Sequence, residues 1–239
     1  MSLSAHTGYI GWGPPCLDPA YRALIAARNP GAWWPMDDSS TTLADISGNG
    51  YHAGISGGGS TDQTGYPGPQ GLPCSAAINF LGGFYYSGLV VGTTQHYALM
   101  TTVRSDILLQ DDVALYGAWA SGSGMMMYIS SADNLRLYHG ATFWDVGLAL
   151  PVGEWTHVLW GWNGSRVKTW INGVPYLDAA ATGSQGTPTY GGNIGSYGDR
   201  GISVFDGQMQ HMVVFLDGDA DAILNDTDAA LLAAAAMGA

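Results

Sequence analysis

Apolar and polar residues alternate in short runs along most of the chain, and the runs close on Gly, Ser, Asp or Asn. Alternation with a period of two is the mark of a strand buried on one face. Such runs lie at 77–83, 84–92, 96–105, 113–122, 125–131, 135–140, 155–162, 167–174 and 207–216. The first two suggest a hairpin across Gly82-Gly83, and Asn163-Gly164 reads as the turn of another. In 155–162, Trp155, His157 and Leu159 share one face, while Thr156, Val158, Trp160 and Trp162 share the other. In its partner, Val167, Thr169 and Ile171 oppose Lys168, Trp170 and Asn172. Most of this hairpin reads as scaffold, although Trp160, Trp162 and Trp170 are also placed to line a groove.

Two segments break the alternation. Residues 18–31 open with Asp18 and Pro19, which suit the cap and first position of a helix, and close on Pro30-Gly31. Residues 219–236 read as a terminal helix with its acidic residues early, where the helix dipole favours them. A Gly/Pro-rich stretch, 56–73, reads as an excursion. Strands at regular spacing with turn signals between them describe an all-β sandwich or barrel rather than βαβ units.

Composition sharpens the picture. Charged residues make up 11% of the 239 positions, against a usual ~25%. There is one glutamate, Glu154, and one lysine, Lys168, and the formal charge of −12 comes almost entirely from aspartates. Seven Lys and Arg in an acidic chain supply no footprint for nucleic acid and no polybasic segment for anionic lipid. The scarcity of Lys and Glu has two readings: a bias of composition, or a surface that meets other subunits, where these residues are disfavoured. The first sixteen residues carry neither a basic n-region nor an apolar h-region, so no signal peptide is expected. Cys16 and Cys74 form no metal-ligand cluster, and they read either as two free thiols or as one bridge.

Three stretches carry a family resemblance. Residues 21–58, with "AWWPMDD" and the turn Asp45-Ile46-Ser47-Gly48-Asn49-Gly50 followed by Gly54, resemble the opening of laminin-G-like, concanavalin A-like domains. "WTHVLWGWNGSRVKTWINGVPY" is similar to the family's W-x-H-V strand and following N-G-V strand, and 193–215 look like its closing strands. The resemblance implies a two-sheet antiparallel jelly-roll sandwich with a short N-terminal helix and a short C-terminal helix. It divides the chain into an arm and helix at 1–32, a sandwich at 33–216, and a C-terminal helix packed on it at 217–239. It places Trp155 and the valine of W-x-H-V in structural roles, and makes His157 a hydrogen-bonded structural residue rather than a base.

Catalysis finds little support. Glucanases of this fold use paired carboxylates on one strand, and retaining chemistry needs two carboxyl groups about 5 Å apart. The lone Glu154 precedes a strand, Asp37-Asp38 and Asp111-Asp112 look like loop acids, and Asp217, Asp219 and Asp221 begin the terminal helix. No nucleophile elbow, zinc-protease motif or phosphate loop appears, so no catalytic residues are assigned. Calcium is the one candidate ion, because related domains hold it with a turn like that of Asp45 and an acidic pair in the closing strand. Gln210-His211 stand where that pair would be, which favours Asp45 as a plain turn residue bonding local N–H groups. No other cofactor is indicated.

Binding remains. Rings that stack on sugar faces, with Asn and Asp to fix hydroxyls, suggest Trp119, Tyr138, Trp144, Tyr197 and Asp199 as ligand-binding candidates. The alternative for each is packing in the sandwich or at its rim. Three functions compete. The opening looks like that of laminin-G-like proteins carried on phage particles, often on tails, which implies a non-enzymatic virion protein. Its partners would be other virion proteins and further copies of itself, with host-surface glycans as ligands. A free carbohydrate-binding module is the second reading, and a glycan hydrolase the third.

Overall fold

A computed structural model describes residues 18–36, 41–56, 60–62, 78–81, 84–105, 113–120, 123–130, 134–186, 191–196 and 205–238. The helix α1 spans Pro19–Ala26, and its cap is as expected: the Asp18 carboxylate accepts from the backbone N–H of Ala20 and Tyr21. The described strands form two eight-stranded antiparallel sheets.

Sheet A contains β1 (Ala32–Trp34), β4 (Ser60–Asp62), β5 (Ile78–Leu81), β7 (Tyr97–Arg104), β12 (Thr156–Trp162), β13 (Arg166–Ile171), β14 (Val174–Ala180) and β16 (Asp206–Leu216). They run in the order β14-β13-β12-β7-β16-β5-β4, with β1 pairing one end of the long β16 and β5 the other. Sheet B is β11 (Thr142–Ala149), β10 (Asn134–His139), β9 (Ser123–Ile129), β8 (Val113–Ala120), β15 (Asn193–Ile194), β6 (Phe84–Tyr86), β3 (Ala53–Ser56) and β2 (Thr42–Leu43), in that order. The chain is therefore the expected jelly-roll sandwich.

The core between the sheets holds Trp34, Tyr85, Tyr97, Tyr116, Trp160, Trp162, Phe205 and Met212. Truncating one of its large aromatics to alanine costs about 3–5 kcal/mol. A second core lies on the other face of sheet A. There Trp33, Met100, Leu159, Trp170, Val213 and Phe215 meet Tyr21 and Ile25 of α1, together with α2 (Asp217–Ile223) and α3 (Asp226–Met237). This double cover explains why β7, β12 and β16 are buried almost throughout. The face assignment of the 155–174 hairpin holds, but the three tryptophans line no groove. Trp160 and Trp162 fill the sandwich, and Trp170 packs under the helices with its indole N–H donating to Asp226 at 2.8 Å.

Three expectations are corrected. The strands at 78–81 and 84–86 are not a hairpin. β5 pairs with β4 and β16 in sheet A, and β6 with β3 and β15 in sheet B. The chain changes sheets between them, so Phe80 and Tyr85 meet edge to face at 6.2 Å. Residues 87–92 form no strand, yet Leu89 and Val91 still reach the core. The terminal helix is broken at 224–225, where the Asn225 side chain accepts from the Asp228 N–H and caps α3. Arg28 then ties α1 to α3 through Asp228.

Beneath α1, three adjacent strands present a polar row. His157 and His211 both register with Thr102 of the intervening β7, and all three are buried. Tyr21 and the His211 Nε2 are hydrogen-bonded at 3.0 Å, and the two imidazole rings lie 6.3 Å apart. The hydrogen bond that the family pattern suggested for His157 is not seen: among the described residues neither of its ring nitrogens has a partner. Burial pushes His157 down to about 3, and burial plus the neighbouring His157 holds His211 well below its ordinary value.

Both rings are neutral in the folded protein, but each binds a proton below about pH 6.5 once unfolded. Their contribution to stability is complete above that pH and is lost as the solution acidifies toward their folded values. Denaturant unfolding between about pH 7 and about pH 4 should show a loss on the order of 3 kcal/mol from His157 alone. His157→Leu should flatten that pH dependence.

Candidate functional site

Helices cover the outer face of sheet A, which leaves the outward face of sheet B to consider. Its residues come from three neighbouring strands by simple alternation. Met125, Met127 and Ile129 of β9 point into the core, so Met126 and Tyr128 point out. Leu135 and Leu137 of β10 point in, so Arg136 and Tyr138 point out. Across the β10–β11 hairpin, Tyr138 registers with Phe143, and Arg136 with Asp145. On the other side Tyr138 registers with Met126, and Arg136 with Tyr128. The result is a grid of two rows across three strands: Met126, Tyr138, Phe143, and beside them Tyr128, Arg136, Asp145.

The first row is aromatic at its edge. Phe143 lies 4.6 Å from Tyr138 and 5.9 Å, edge-on, from Tyr128, and it remains 58% exposed. Tyr128 and Tyr138 are buried at its sides with Ala114 and Met126. The second row is polar. The Arg136 Nε donates to the Asp145 Oδ2 at 3.2 Å, and the Gly147 N–H donates to the Asp145 Oδ1 at 2.8 Å. Hydrogen bonds to Tyr128 and Asp145 strengthen the hold of the Arg136 guanidinium on its proton. An apolar ring flanked by a fixed guanidinium and carboxylate can stack on one face of a small polar ring and bond its substituents. Tyr86, 46% exposed, stands on the same face farther along the sheet. Gly117 and Asn193, which register between them, are buried.

Of the residues suggested by sequence, only Tyr138 lies on this face with its side chain described. Trp144 lies on the opposite side of β11: it registers with Leu137, packs partly buried against the interior core, and has its ring 6.2 Å from His139. There the Tyr97 hydroxyl and the His139 Nδ1 are hydrogen-bonded at 2.8 Å, and burial lowers His139 to about 4. Trp119 sits in β8 opposite Gly124, with its side chain outside the described residues. Tyr197 and Asp199 also lie outside them, as do the acid pairs at 37–38 and 111–112.

Sequence reasoning missed Phe143, Tyr128, Arg136 and Asp145 because it assigned no strand between 140 and 155, where β11 lies. The signal was present. Gly140, at φ 63°, opens a two-residue turn between His139 and Thr142, the Gly-X kind that joins tight hairpins.

Asp45 is occupied by its own backbone. Its Oδ1 accepts from the N–H groups of Trp33 and Ser47, and its Oδ2 from that of Tyr51, each at 2.9 Å. Asn49 of the same turn donates to the Gly31 carbonyl. The turn thus ties β1 to the segment leading into β3. Among the described residues no group of three or more His, Cys, Asp or Glu is placed to hold a metal ion.

The two sheets and the outward face define a lectin- or glucanase-like sandwich. The model of the concanavalin A-like lectin/glucanases superfamily (Laminin_G_3) matches residues 87–217, more than half of the chain, and the protein belongs to that family. Among solved structures it is similar to domain 4 of AbnA, a GH43 extracellular arabinanase from Geobacillus stearothermophilus, in complex with arabinotriose. The TM-score is 0.67 at 19% identity, over 86% of this chain and 98% of that one. It is also similar to part of the Trypanosoma rangeli sialidase in complex with sialic acid, with a TM-score of 0.62 at 13% identity. That match covers 85% of this chain and 32% of the sialidase, so the chain spans about a third of that enzyme. No curated protein matches the chain.

The Asp45 carboxylate holds three backbone donors, so Asp45→Ala should destabilise the fold by about 3 kcal/mol in denaturant unfolding, since buried donors are left unmade. Adding calcium, or a chelator, should leave the melting temperature of the native protein unchanged.

Proposed function

We propose that this protein is a non-enzymatic glycan-binding module whose ligand lies on the outward face of sheet B, over Phe143 and beside Arg136 and Asp145. The observation that carries the reading is the exposed Phe143 ring, braced by Tyr128 and Tyr138, with a fixed ion pair in the adjacent row. The likeness to an arabinanase domain in complex with arabinotriose supports the choice of ligand class through the fold it shares. The reading is non-enzymatic because the grid carries one carboxylate, already engaged by Arg136 and Gly147, whereas glycoside hydrolysis needs a pair. Glu154 stands exposed before β12, and Asp217, Asp219 and Asp221 lie on α2 on the far side of the molecule.

A second observation favours a structural role in an assembly. The edge strands β11 and β14 are exposed for most of their length, and β14 carries Val174 at 55% and Tyr176 at 45% exposure. β11 carries neither a lysine nor a proline to discourage pairing, devices that isolated sheets commonly use, and β14 has no lysine, though Pro175 lies near its start. Multiple copies in a particle, of the phage virion kind that the sequence resembles, would pair or cover such edges. They would also convert weak single-site sugar binding into firm adhesion to a host surface.

Calorimetric titration with neutral oligosaccharides should give weak binding to the isolated chain. Phe143→Ala should weaken it about tenfold, as loss of a central aromatic contact does, without lowering the melting temperature appreciably. The same oligosaccharides should be returned intact after long incubation. Binding unaffected by Phe143→Ala would remove this face as the site, and release of shortened sugars would remove the non-enzymatic reading.

A further inference from the structure

The sandwich fold says nothing about whether the ligand is charged, but the second row of the grid does. We infer that the face selects neutral over carboxylate-bearing glycans, and that Asp145 is the residue that sets this choice by keeping Arg136 occupied. The inference rests on the glycan-binding reading and names the sugar class.

An acidic sugar, whether a uronate or a sialic acid, needs a cation to receive its carboxylate, and arginine is well shaped for it. Between Val113 and Ala149 the sequence holds a single cation, Arg136. That guanidinium is already committed: its Nε donates to Asp145, and Tyr128 holds it from the adjacent strand. The register fixes the arrangement, since Arg136 faces Asp145 on one side and Tyr128 on the other. Asp145 is itself anchored by the Gly147 N–H, so it cannot swing away without giving up a second bond. A ligand carboxylate bonding the remaining N–H groups of Arg136 would sit beside that of Asp145, so two negative charges would share one positive charge and repel each other.

The overall charge of −12 acts in the same direction, but at physiological salt it is screened beyond about 8 Å. Discrimination between two sugars that differ by one carboxylate therefore falls to the local pair. A neutral ring meets no such conflict. Its apolar face lies on Phe143, and its hydroxyls can donate to the free lone pairs of Asp145 and accept from the remaining N–H groups of Arg136.

The test uses ligand pairs that differ only in charge: uronic-acid oligosaccharides against their carboxyl-reduced neutral counterparts, and sialyllactose against its methyl ester. Affinities are measured for the native chain, for Asp145→Asn, and for Asp145→Asn combined with Arg136→Gln. The native protein should bind the neutral member of a pair at least tenfold more tightly. Asp145→Asn keeps the shape and the Gly147 bond but releases the guanidinium, so the preference should shift at least tenfold toward the acidic member. Adding Arg136→Gln should abolish that shift.

The native ratio needs no variant and stands even if Asp145→Asn fails to fold. A native preference for the acidic member, or a ratio that Asp145→Asn leaves unmoved, overturns the inference while glycan binding at this face survives. Failure of both members of every pair to bind overturns the glycan-binding reading and this inference with it.

Discussion

Everything in this molecule hangs on the burial of sheet A from both sides. β7, β12 and β16 form the middle of that sheet, and each must satisfy two cores at once. Tyr97, Leu99 and Val103 of β7 face the sandwich, while Ala98 and Met100 face the helices. A strand under this constraint tolerates polar side chains only where they can be enclosed. The His157–Thr102–His211 row is a place where the constraint is poorly met, with buried polar atoms left without partners among the described residues. Covering sheet A also decides which surface is left for recognition: the outward face of sheet B.

The helices cover sheet A by polar ties as well as by packing. The Asp18 cap starts α1, Arg28 reaches from its end to Asp228, and Asp226 receives the indole of Trp170. Gly173, at φ 79° in the β13–β14 turn, lies so close to Ala230 of α3 that a side chain there would strike its backbone. Together these contacts seat two separate helical segments on one sheet, with apolar area supplying most of the energy and the polar bonds fixing where each helix sits.

Much of this was legible in the sequence, for physical reasons that differ from element to element. Asp18-Pro19 announced a helix because cap and first-turn chemistry are local. The alternation in 155–162 and 167–174 fixed faces correctly because a period of two survives whatever covers it. The pairing of 78–81 with 84–86 was misjudged because a glycine pair between two apolar runs reads the same whether the chain folds back or changes sheets. Only long-range partners, β16 for one and β15 for the other, decide between them. The break at 224–225 escaped notice because alanine and leucine on both sides favour helix equally. The site was legible in part. Tyr138 was found as an aromatic beside polar residues, but Trp144 was chosen and Phe143 passed over. With no strand assigned between 140 and 155 there was no alternation to separate inside from outside, and one residue's shift along a strand exchanges core for solvent.

The three layers are ordered helices, sheet A, sheet B, and this order gives the molecule a front and a back. Both described helical ends, α1 and α3, lie on the back, joined by Arg28 and Asp228, and Phe143 lies on the front. Any neighbour that grips the helical layer leaves the aromatic face pointing away from itself. An array built through the backs of many copies would be a plate studded on one side with identical aromatic faces, all pointing the same way.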